Sequence, residues 1–232
     1  MADELARLSP VAVGKVAKIS PGVIVDDFAR PQANRLQFPF PYVLSLSRLN
    51  PLKGHDVLLA AFRKVAQLEK DVHLVIAADG PQRIRLQALA MSSGLKEHVT
   101  FLGQVGRDRV RELLAGCELL VNCSWIEGIP NAVLEAMASR KPVVGMRVGG
   151  LSEVVSDFET GRLVPPGDPE RLADAILFLL RDRDRSKAMG ERGHAFVKAY
   201  HDFEPSVDRY LEVYGRALLS SDDDGSKGNG RV

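Results

Sequence analysis

Residues 118–146 read ELLVNCSWIEGIPNAVLEAMASRKPVVGM and hold two short apolar runs with a longer segment between them. The runs Glu118–Asn122 and Pro142–Met146 are predicted to be strands, because they are apolar and too short for buried helices. Pro130–Ala138 is predicted to be a helix, since proline suits the first helical turn. A strand, a helix and a second strand in this order predict two parallel strands joined by a crossover helix.

The same alternation continues on both sides of this stretch. Runs such as HLVIA at 73–77 lack polar alternation, as expected for strands that are covered on both faces. The pattern therefore predicts an α/β fold with a single doubly wound parallel sheet of about six strands. The other predicted strands are Tyr42–Ser47, Val72–Ala77, His98–Leu102 and Gly161–Val164, and the other predicted helices are His55–Leu68, Pro81–Met91, Asp108–Leu114 and Leu151–Val155.

After Val164 the alternation stops and the chain becomes helical. This change predicts a helical cover that packs on the sheet at the C-terminal end of the domain. The predicted helices are Pro169–Leu180, Arg185–Lys198 and Pro205–Leu219.

The domain is predicted to occupy residues 31–219. Residues 1–30 precede it as a leading segment with one predicted strand, Val13–Ile19, and a turn at Pro21–Gly22. Residues 220–232 are polar and glycine-rich. Because such a composition buries too little apolar surface to become ordered, we expect a disordered tail there.

The composition limits the class of protein. Among 232 residues, 31 Lys and Arg balance 30 Asp and Glu, so no basic footprint for nucleic acid is present. The two cysteines, Cys117 and Cys123, flank an apolar run, and we interpret both as small buried hydrophobic residues in a reduced, cytosolic protein. We expect no targeting segment, because the first ten residues lack an apolar stretch. The longest apolar run, Ala175–Leu180, is too short to cross a bilayer.

Ligands of open parallel sheets bind beyond the carboxyl ends of the strands. The loop SRLNPLKG at 47–54 places Arg48 and Lys53 just after the first predicted sheet strand. Arginine offers a planar fork of donors and lysine a mobile point charge, so the two cations could hold a diphosphate. Two solvated surface cations remain the alternative.

Gly149 and Gly150 precede a short predicted helix. Paired glycines allow a backbone to approach a ligand and to offer N–H groups to an anion. A tight turn explains them equally well. The sequence contains neither G-x-G-x-x-G after a strand nor the P-loop motif, which argues against an NAD enzyme and a P-loop ATPase.

Glu127 and Glu135 stand eight residues apart across the start of the helix predicted at Pro130–Ala138. The free N–H groups near residues 128–132 form an anion site at the positive end of the helix dipole. Because helical side chains lean toward the N-terminus, Glu135 is expected to point back at that site. One carboxylate could then hold a sugar and the other a ribose, with phosphates between them. Two exposed, solvated carboxylates are the alternative.

These motifs resemble the glycosyl transferases group 1 family, which comprises retaining glycosyltransferases of the GT-B fold. The central likeness is EGIPNAVLEAMA at 127–138, followed by KPVV at 141–144 and VGGLSEVV at 148–155. Together with the matches on either side, the likeness covers roughly residues 13–215 in family order. The further matches are VAKISPGVIVDDF (16–28), SRLNPLKG (47–54), ADGPQ (78–82), VTFLGQV (99–105) and TGRLVPPGDPERLADAI (160–176).

The resemblance implies two Rossmann-like halves, of which this chain is the C-terminal, donor-binding half. It implies that Arg48 and Lys53 hold the donor diphosphate, that Glu127 contacts the transferred sugar, and that these three residues are catalytic. Glu135 is implied to bind the ribose, and the loop Leu102–Val105 to lie against the base. The other implied donor-binding residues are Gly103, Gln104, Gly128, Ile129, Pro130, Asn131 and Leu134.

The implied activity is transfer of a hexose-type sugar from a UDP- or GDP-linked donor, in glycan, glycolipid or cell-envelope polysaccharide synthesis. No metal or other cofactor is expected, because Arg and Lys neutralise the leaving diphosphate. The acceptor, a glycan or lipid, would be bound through a missing N-terminal domain to which residues 1–30 lead. No nucleic-acid partner is expected. A cytoplasmic location is implied, with peripheral association at the inner face of the membrane through the missing half.

The chain departs from the family pattern at four positions. Ser47 and Ala78 stand where glycine is usual, Leu52 where glutamate is common, and Ser152 where proline is common. None of these changes removes a charged contact. The absence of an N-terminal half leaves two explanations open: the chain is a fragment, or it is one half of a split enzyme. A non-catalytic nucleotide-sugar-binding module is the principal alternative function, and a GT-B-like epimerase fits the motifs less well.

Overall fold

The computed structural model of the protein describes residue 17, residues 19–29 and residues 38–225, with side chains as far as Leu218. Strands and helices alternate through the central part of this range, and helices alone follow. The strands are β1 (Tyr42–Ser45), β2 (His73–Ile76), β3 (Val99–Phe101), β4 (Leu119–Asn122), β5 (Val143–Met146) and β6 (Gly161–Val164). The helices are α1 (Val25–Ala29), α2 (His55–Leu68), α3 (Arg83–Ser92), α4 (Arg107–Gly116), α5 (Asn131–Ala138), α6 (Leu151–Val154), α7 (Pro169–Arg181), α8 (Arg183–Tyr200) and α9 (Phe203–Gly225).

The six strands form one sheet in the order β3-β2-β1-β4-β5-β6, and every neighbouring pair is parallel. The chain adds β2 and β3 on one side of β1, then returns to place β4 on the other side. This reversal creates a crevice at the carboxyl ends of β1 and β4, where doubly wound folds bind their ligands. The α/β, doubly wound parallel fold predicted from the sequence is confirmed.

Two apolar layers cover the sheet, one on each face. Because side chains alternate along a strand, Val43 belongs to the first layer and its neighbour Leu44 to the second. The first layer is completed by helices α2, α3 and α7, with Phe62 and Ile176 at its centre. Helices α4, α5, α6 and α8 complete the second layer. This burial on both faces explains why the strands are mainly apolar and lack a regular alternation of polar residues.

Several boundaries differ from the sequence predictions. A 3₁₀ turn at Pro51–Lys53 and helix α1 were not predicted. Helix α9 continues to Gly225, so residues 220–225 are helical although a disordered tail was predicted from residue 220. A helix that is already nucleated gains one hydrogen bond for each residue added, and low apolar content therefore does not end it. The remainder of the predicted tail lies outside the described residues.

The end of the predicted leading segment packs into the domain. Val25 and Phe28 of α1 are buried in the second apolar layer. The amide of Val23 donates to the carbonyl of His201, 2.8 Å away. The strand predicted at Val13–Ile19 lies outside the described residues except for Ala17 and Ile19, which have no regular structure.

Both cysteines behave as the sequence predicted. Cys117 and Cys123 are free and buried, and burial raises the pKa of each thiol to about 12. Among the described residues, no helix combines the length and the apolar composition needed to cross a membrane. In the C-terminal cover, α9 leaves Tyr210, Leu211 and Tyr214 exposed.

Candidate functional site

The two loops singled out in the sequence meet because β1 and β4 are adjacent and parallel. Residues 46–54 follow β1 and residues 123–130 follow β4. Gly54 adopts a left-handed conformation with φ of 61°, and a Cβ atom there would lie 2.1 Å from the Cys123 carbonyl oxygen. Only glycine permits this approach, so Gly54 brings the two loops into contact.

Lys53 and Glu127 form the central contact of the site. Lys53 Nζ donates to Glu127 Oε1 at 2.6 Å, and the two side chains are 23% and 11% exposed. The same oxygen accepts from Ser124 Oγ at 2.7 Å and from Asn122 Nδ2 at 3.4 Å. The lysine and the glutamate predicted to be catalytic therefore contact each other directly.

Arg48 lies at the other end of the β1 loop and is exposed. Its side chain has no ion pair or hydrogen bond among the residues that the structure describes, and it lines a cavity next to the sheet. Ser47 Oγ lies 3.2 Å from Nε2 of the buried His55, so the start of the loop is tied to the start of α2. Burial lowers the pKa of His55 to about 4, and the imidazole is neutral at pH 7.

Helix α5 begins at Asn131, one residue later than predicted, because Pro130 keeps an extended conformation with ψ of 122°. The amides of Val133 and Leu134 donate to the Pro130 carbonyl. The amides of Asn131 and Ala132 belong to the first turn, where no partner exists within a helix. The predicted anion site at this helix start thus has free donors, and occupation by phosphate stays a prediction.

Glu135 faces the cavity from the second turn of α5. Burial raises the pKa of its carboxyl above the ordinary value, whereas the positive charges of Arg107 and Arg111 act in the opposite direction. Arg111 and Arg107 both donate to Asp27 of α1, at 2.6 and 3.3 Å. A half-buried carboxylate without a hydrogen-bond donor in the described part of the chain is suited to accept from a ligand's hydroxyl groups.

The cavity itself measures about 570 Å³, a size suited to small molecules and cofactors. It lies along the carboxyl ends of β1, β2 and β3 and reaches α5. Gln104 lines it beside Gly103, whose φ is 78° and whose Cβ would lie 2.8 Å from the Arg83 guanidinium. Asp79 also lines it; the Gly80 amide and Arg83 lower the pKa of the Asp79 carboxyl. The lining of the cavity thus combines positively charged, negatively charged and apolar side chains.

The other predicted site residues lie around this cavity or behind it. Gly128 and Asn131 are exposed, and Ile129 is partly buried against the second apolar layer. Leu134 is fully buried in that layer, so its side chain supports α5 from within and does not line the cavity. The predicted donor-binding role of Leu134 can therefore only be indirect.

Gly149 and Gly150 pack against the backbone that carries Glu127. A Cβ at Gly149 would lie 2.1 Å from the Glu127 carbonyl oxygen, and one at Gly150 would lie 2.4 Å from Gly128. The Gly150 amide donates to the Glu127 carbonyl at 3.1 Å. The two glycines allow two protein loops to pack closely, which explains their presence without a ligand.

Sequence reasoning missed two buried polar residues of the site, Asn122 and Ser124. Both lie at the carboxyl end of β4, where the apolar run LLV at 119–121 becomes polar. That change of polarity at a strand end was the available signal. Among the described residues, no group of His, Cys, Asp or Glu side chains is arranged to hold a metal ion.

A parallel sheet whose strand order reverses between β1 and β4 is a doubly wound α/β domain, a fold that binds ligands at the carboxyl ends of its strands. The chain belongs to the glycosyl transferases group 1 family, whose sequence profile matches residues 28–196. It is 35% identical over 195 residues to the GDP-mannose-dependent alpha-(1-6)-phosphatidylinositol monomannoside mannosyltransferase of Mycobacterium tuberculosis. The match covers 78% of this chain and 51% of that enzyme. The chain spans about half the length of the curated relatives it matches.

Solved structures agree on the fold. The Anabaena protein HepE, crystallised with UDP-glucose, superposes with a TM-score of 0.79 at 26% identity, covering 85% of this chain and 57% of HepE. The C-terminal domain of a group 1 glycosyl transferase (LpcC) from Francisella tularensis superposes with a TM-score of 0.70 at 23% identity. That match covers 78% of this chain and 99% of the domain, and it shows the fold alone. The predicted C-terminal half of a GT-B fold is confirmed.

Proposed function

We propose that this chain is the donor-binding half of a retaining glycosyltransferase that transfers a hexose-type sugar from a nucleoside diphosphate sugar. The observation that carries the proposal is the Lys53–Glu127 pair at the switch point, next to a cavity that contains Arg48 and Glu135. Cations suit the negatively charged diphosphate of a nucleotide sugar, and carboxylates suit the hydroxyl groups of the ribose and the sugar on either side of it, because a carboxylate accepts hydrogen bonds.

The proposed roles follow from position. Arg48 and Lys53 bind the diphosphate, together with the free amides between Gly128 and Asn131. Glu127 accepts a hydrogen bond from the transferred sugar. During transfer, the bond between the anomeric carbon and the diphosphate oxygen breaks, the acceptor hydroxyl oxygen bonds to that carbon on the same face of the sugar, and the hydroxyl proton passes to the leaving diphosphate. The two cations stabilise the negative charge that develops on the leaving diphosphate.

Glu135 is proposed to bind the ribose, because its half-buried carboxylate offers acceptors to a vicinal diol. Gly103 and Gln104 would lie against the base. The base is proposed to be uracil or guanine, since HepE was crystallised with UDP-glucose and the mycobacterial relative is GDP-mannose-dependent. No metal is proposed in the donor site, because Arg48 and Lys53 supply the positive charge.

The acceptor is proposed to be a glycan or a lipid bound by a second half, on another stretch of chain or another polypeptide. The mycobacterial relative acts, by its name, on a phosphatidylinositol monomannoside. A cytoplasmic location with peripheral association at the inner membrane face would suit such an acceptor. Because the chain spans about half of its relatives, a nucleotide-sugar-binding subunit without activity of its own is the second candidate. Sugar transfer on mixing with an N-terminal half would distinguish the two.

The experiment that tests donor binding is a thermal-shift screen of UDP, GDP, their monophosphates and their sugars. A ligand that binds only the folded protein raises the melting temperature by mass action. We expect a shift with one of the two diphosphates and its sugar, and a smaller one with the matching monophosphate. A screen without any shift would reject the proposed function.

A further inference from the structure

The hydrogen bonds of Glu127 are distributed unequally between its two oxygens. Oε1 accepts from Lys53, Ser124 and Asn122. Oε2 has no hydrogen-bond partner among the described residues. A carboxylate oxygen with three donors has little capacity left, whereas its partner retains both lone pairs for a ligand. The site therefore holds Glu127 by one oxygen and leaves the other free.

Two of the three donors come from the rigid end of the sheet. Asn122 is the last residue of β4 and is 4% exposed, and Ser124 is fully buried. The Ser124 amide donates to Asn122 Oδ1 at 3.2 Å, so the two residues fix each other. Buried polar groups without partners are costly, and here the carboxylate of Glu127 supplies the acceptor for both side chains.

The third donor, Lys53, is also the residue proposed to bind the donor diphosphate. A diphosphate that draws the ammonium toward itself weakens the Lys53–Glu127 contact. Without other restraints, Glu127 would then be free to change rotamer at the moment when the sugar arrives. Ser124 and Asn122 cannot follow the diphosphate, because both are fixed by burial and by β4.

We propose that Asn122 and Ser124 are positioning residues that hold Glu127 through Oε1 and present Oε2 to a hydroxyl group of the donor sugar. The inference rests on the proposed function, since it assigns the sugar to Glu127. It predicts that these two residues act on the sugar and have no effect on the nucleotide. The two residues are expected to control how much the sugar adds to binding. This contribution is measured as the ratio of the affinity for the nucleotide sugar to the affinity for the free diphosphate.

The test is Ser124→Ala, measured by calorimetric titration with UDP and UDP-glucose and with GDP and GDP-mannose. A hydrogen bond to a charged group is typically worth about tenfold in an equilibrium constant. We therefore expect the affinity for the nucleotide sugar to fall roughly tenfold and the affinity for the free diphosphate to stay within about twofold. Ser124→Cys, which keeps the shape and a weak donor, should lie between the variant and the wild type.

A matched control is Ser206→Ala. Ser206 is a buried serine on α9 whose hydroxyl donates to the Asp202 carbonyl at 2.9 Å, away from the cavity. It should leave both affinities unchanged. If Ser124→Ala does not fold, the same titrations with Asn122→Ala provide a second test of the prediction.

Three results would separate the possible accounts. Equal losses for the diphosphate and its sugar would overturn the positioning role, because they indicate a general disturbance of the loop. Unchanged affinity for both ligands would overturn it as well. If the wild-type protein binds neither diphosphate, the proposed function fails, and the positioning role fails with it.

Discussion

Lys53 and Glu127 are 74 residues apart in the sequence, yet Lys53 Nζ lies 2.6 Å from Glu127 Oε1. They meet because β1 and β4 are neighbours on either side of the switch point in the strand order. Each side chain neutralises the charge of the other. A diphosphate must therefore compete with Glu127 for the ammonium of Lys53. The strength of this competition can be measured as the change in diphosphate affinity when Glu127 is substituted.

Glu127→Gln should tighten the binding of a free nucleoside diphosphate. The substitution keeps the shape of the side chain, removes the competing negative charge and leaves Lys53 available. Partly exposed ion pairs contribute about 0.3–1 kcal/mol, which corresponds to roughly a two- to fivefold gain in affinity. The same variant should weaken the nucleotide sugar relative to the diphosphate. Calorimetry that shows weaker binding of both ligands would contradict this account of the pair.

Lys53→Ala should reduce the preference for a nucleoside diphosphate over the monophosphate. If Arg48 and Lys53 both contact one diphosphate, the double variant should lose less than the sum of the two single losses, because the effects of groups acting on one anion are coupled. Lys53→Arg should restore only part of the preference, since a planar guanidinium differs from a compact ammonium.

These variants are compared by titration with mono- and diphosphates, with and without a chelator. We expect binding to persist with the chelator present, because the cations of the site are side chains. Lys187→Ala, a change to a lysine on α8, serves as the control for a general loss of positive charge. An unchanged diphosphate preference in Lys53→Ala, or binding that requires a metal, would contradict the assignment of Arg48 and Lys53 to the diphosphate.

The stability of the folded protein should fall between pH 6.5 and pH 4 because of His55. Burial lowers the pKa of His55 from 6.5 to about 4, with Asp56 raising it and Lys53 lowering it by smaller amounts. The unfolded chain therefore binds a proton at His55 in this range while the folded chain does not, so stability is present above the unfolded pKa and lost as the pH falls. At pH 5 the loss attributable to His55 is about 2 kcal/mol.

Chemical denaturation at pH 7 and pH 5 checks this expectation on wild type and His55→Asn. The variant should be less stable at pH 7 but should lose about 2 kcal/mol less between the two pH values. His73 and His201, whose pKa values are also lowered by burial, contribute equally to both proteins and cancel in the comparison. An identical loss in the two proteins would mean that His55 does not remain neutral in the folded state.

The fold was predictable from the sequence because its signal is local and repeated. The strands β1, β4 and β5 are buried at every residue, and each of the six strands is followed by a helix. Helix ends were less predictable. Pro130 marks a first turn in the sequence, but its extended backbone shifts the start of α5 to Asn131. At the C-terminus, composition predicted disorder from residue 220, whereas α9 continues to Gly225.

The site was predictable in its charged residues but not in its contacts. The strand-to-helix order predicted the loop positions of Arg48, Lys53 and Glu127 and the position of Glu135 on the helix that follows. The direct contact of Lys53 with Glu127 depends on the approach of two loops at Gly54, which no local pattern reveals. The sequence left two explanations for Gly149 and Gly150, a ligand and a tight turn, and the close approach of the Glu127 backbone adds a third reason for glycine that no local pattern reveals.

The central claim is that the cavity beside β1 binds a nucleoside diphosphate with Glu135 on the ribose. Calorimetric titration of Glu135→Ala with the nucleoside diphosphate that binds the wild type tests it most directly, with Glu159→Ala, an exposed surface carboxylate, as the matched control. Because a hydrogen bond to a charged group contributes about 1.5–3 kcal/mol, we predict that Glu135→Ala binds roughly ten- to a hundredfold more weakly and that Glu159→Ala binds as the wild type does. Equal affinity in Glu135→Ala and the wild type would contradict the assignment of this cavity as the donor site.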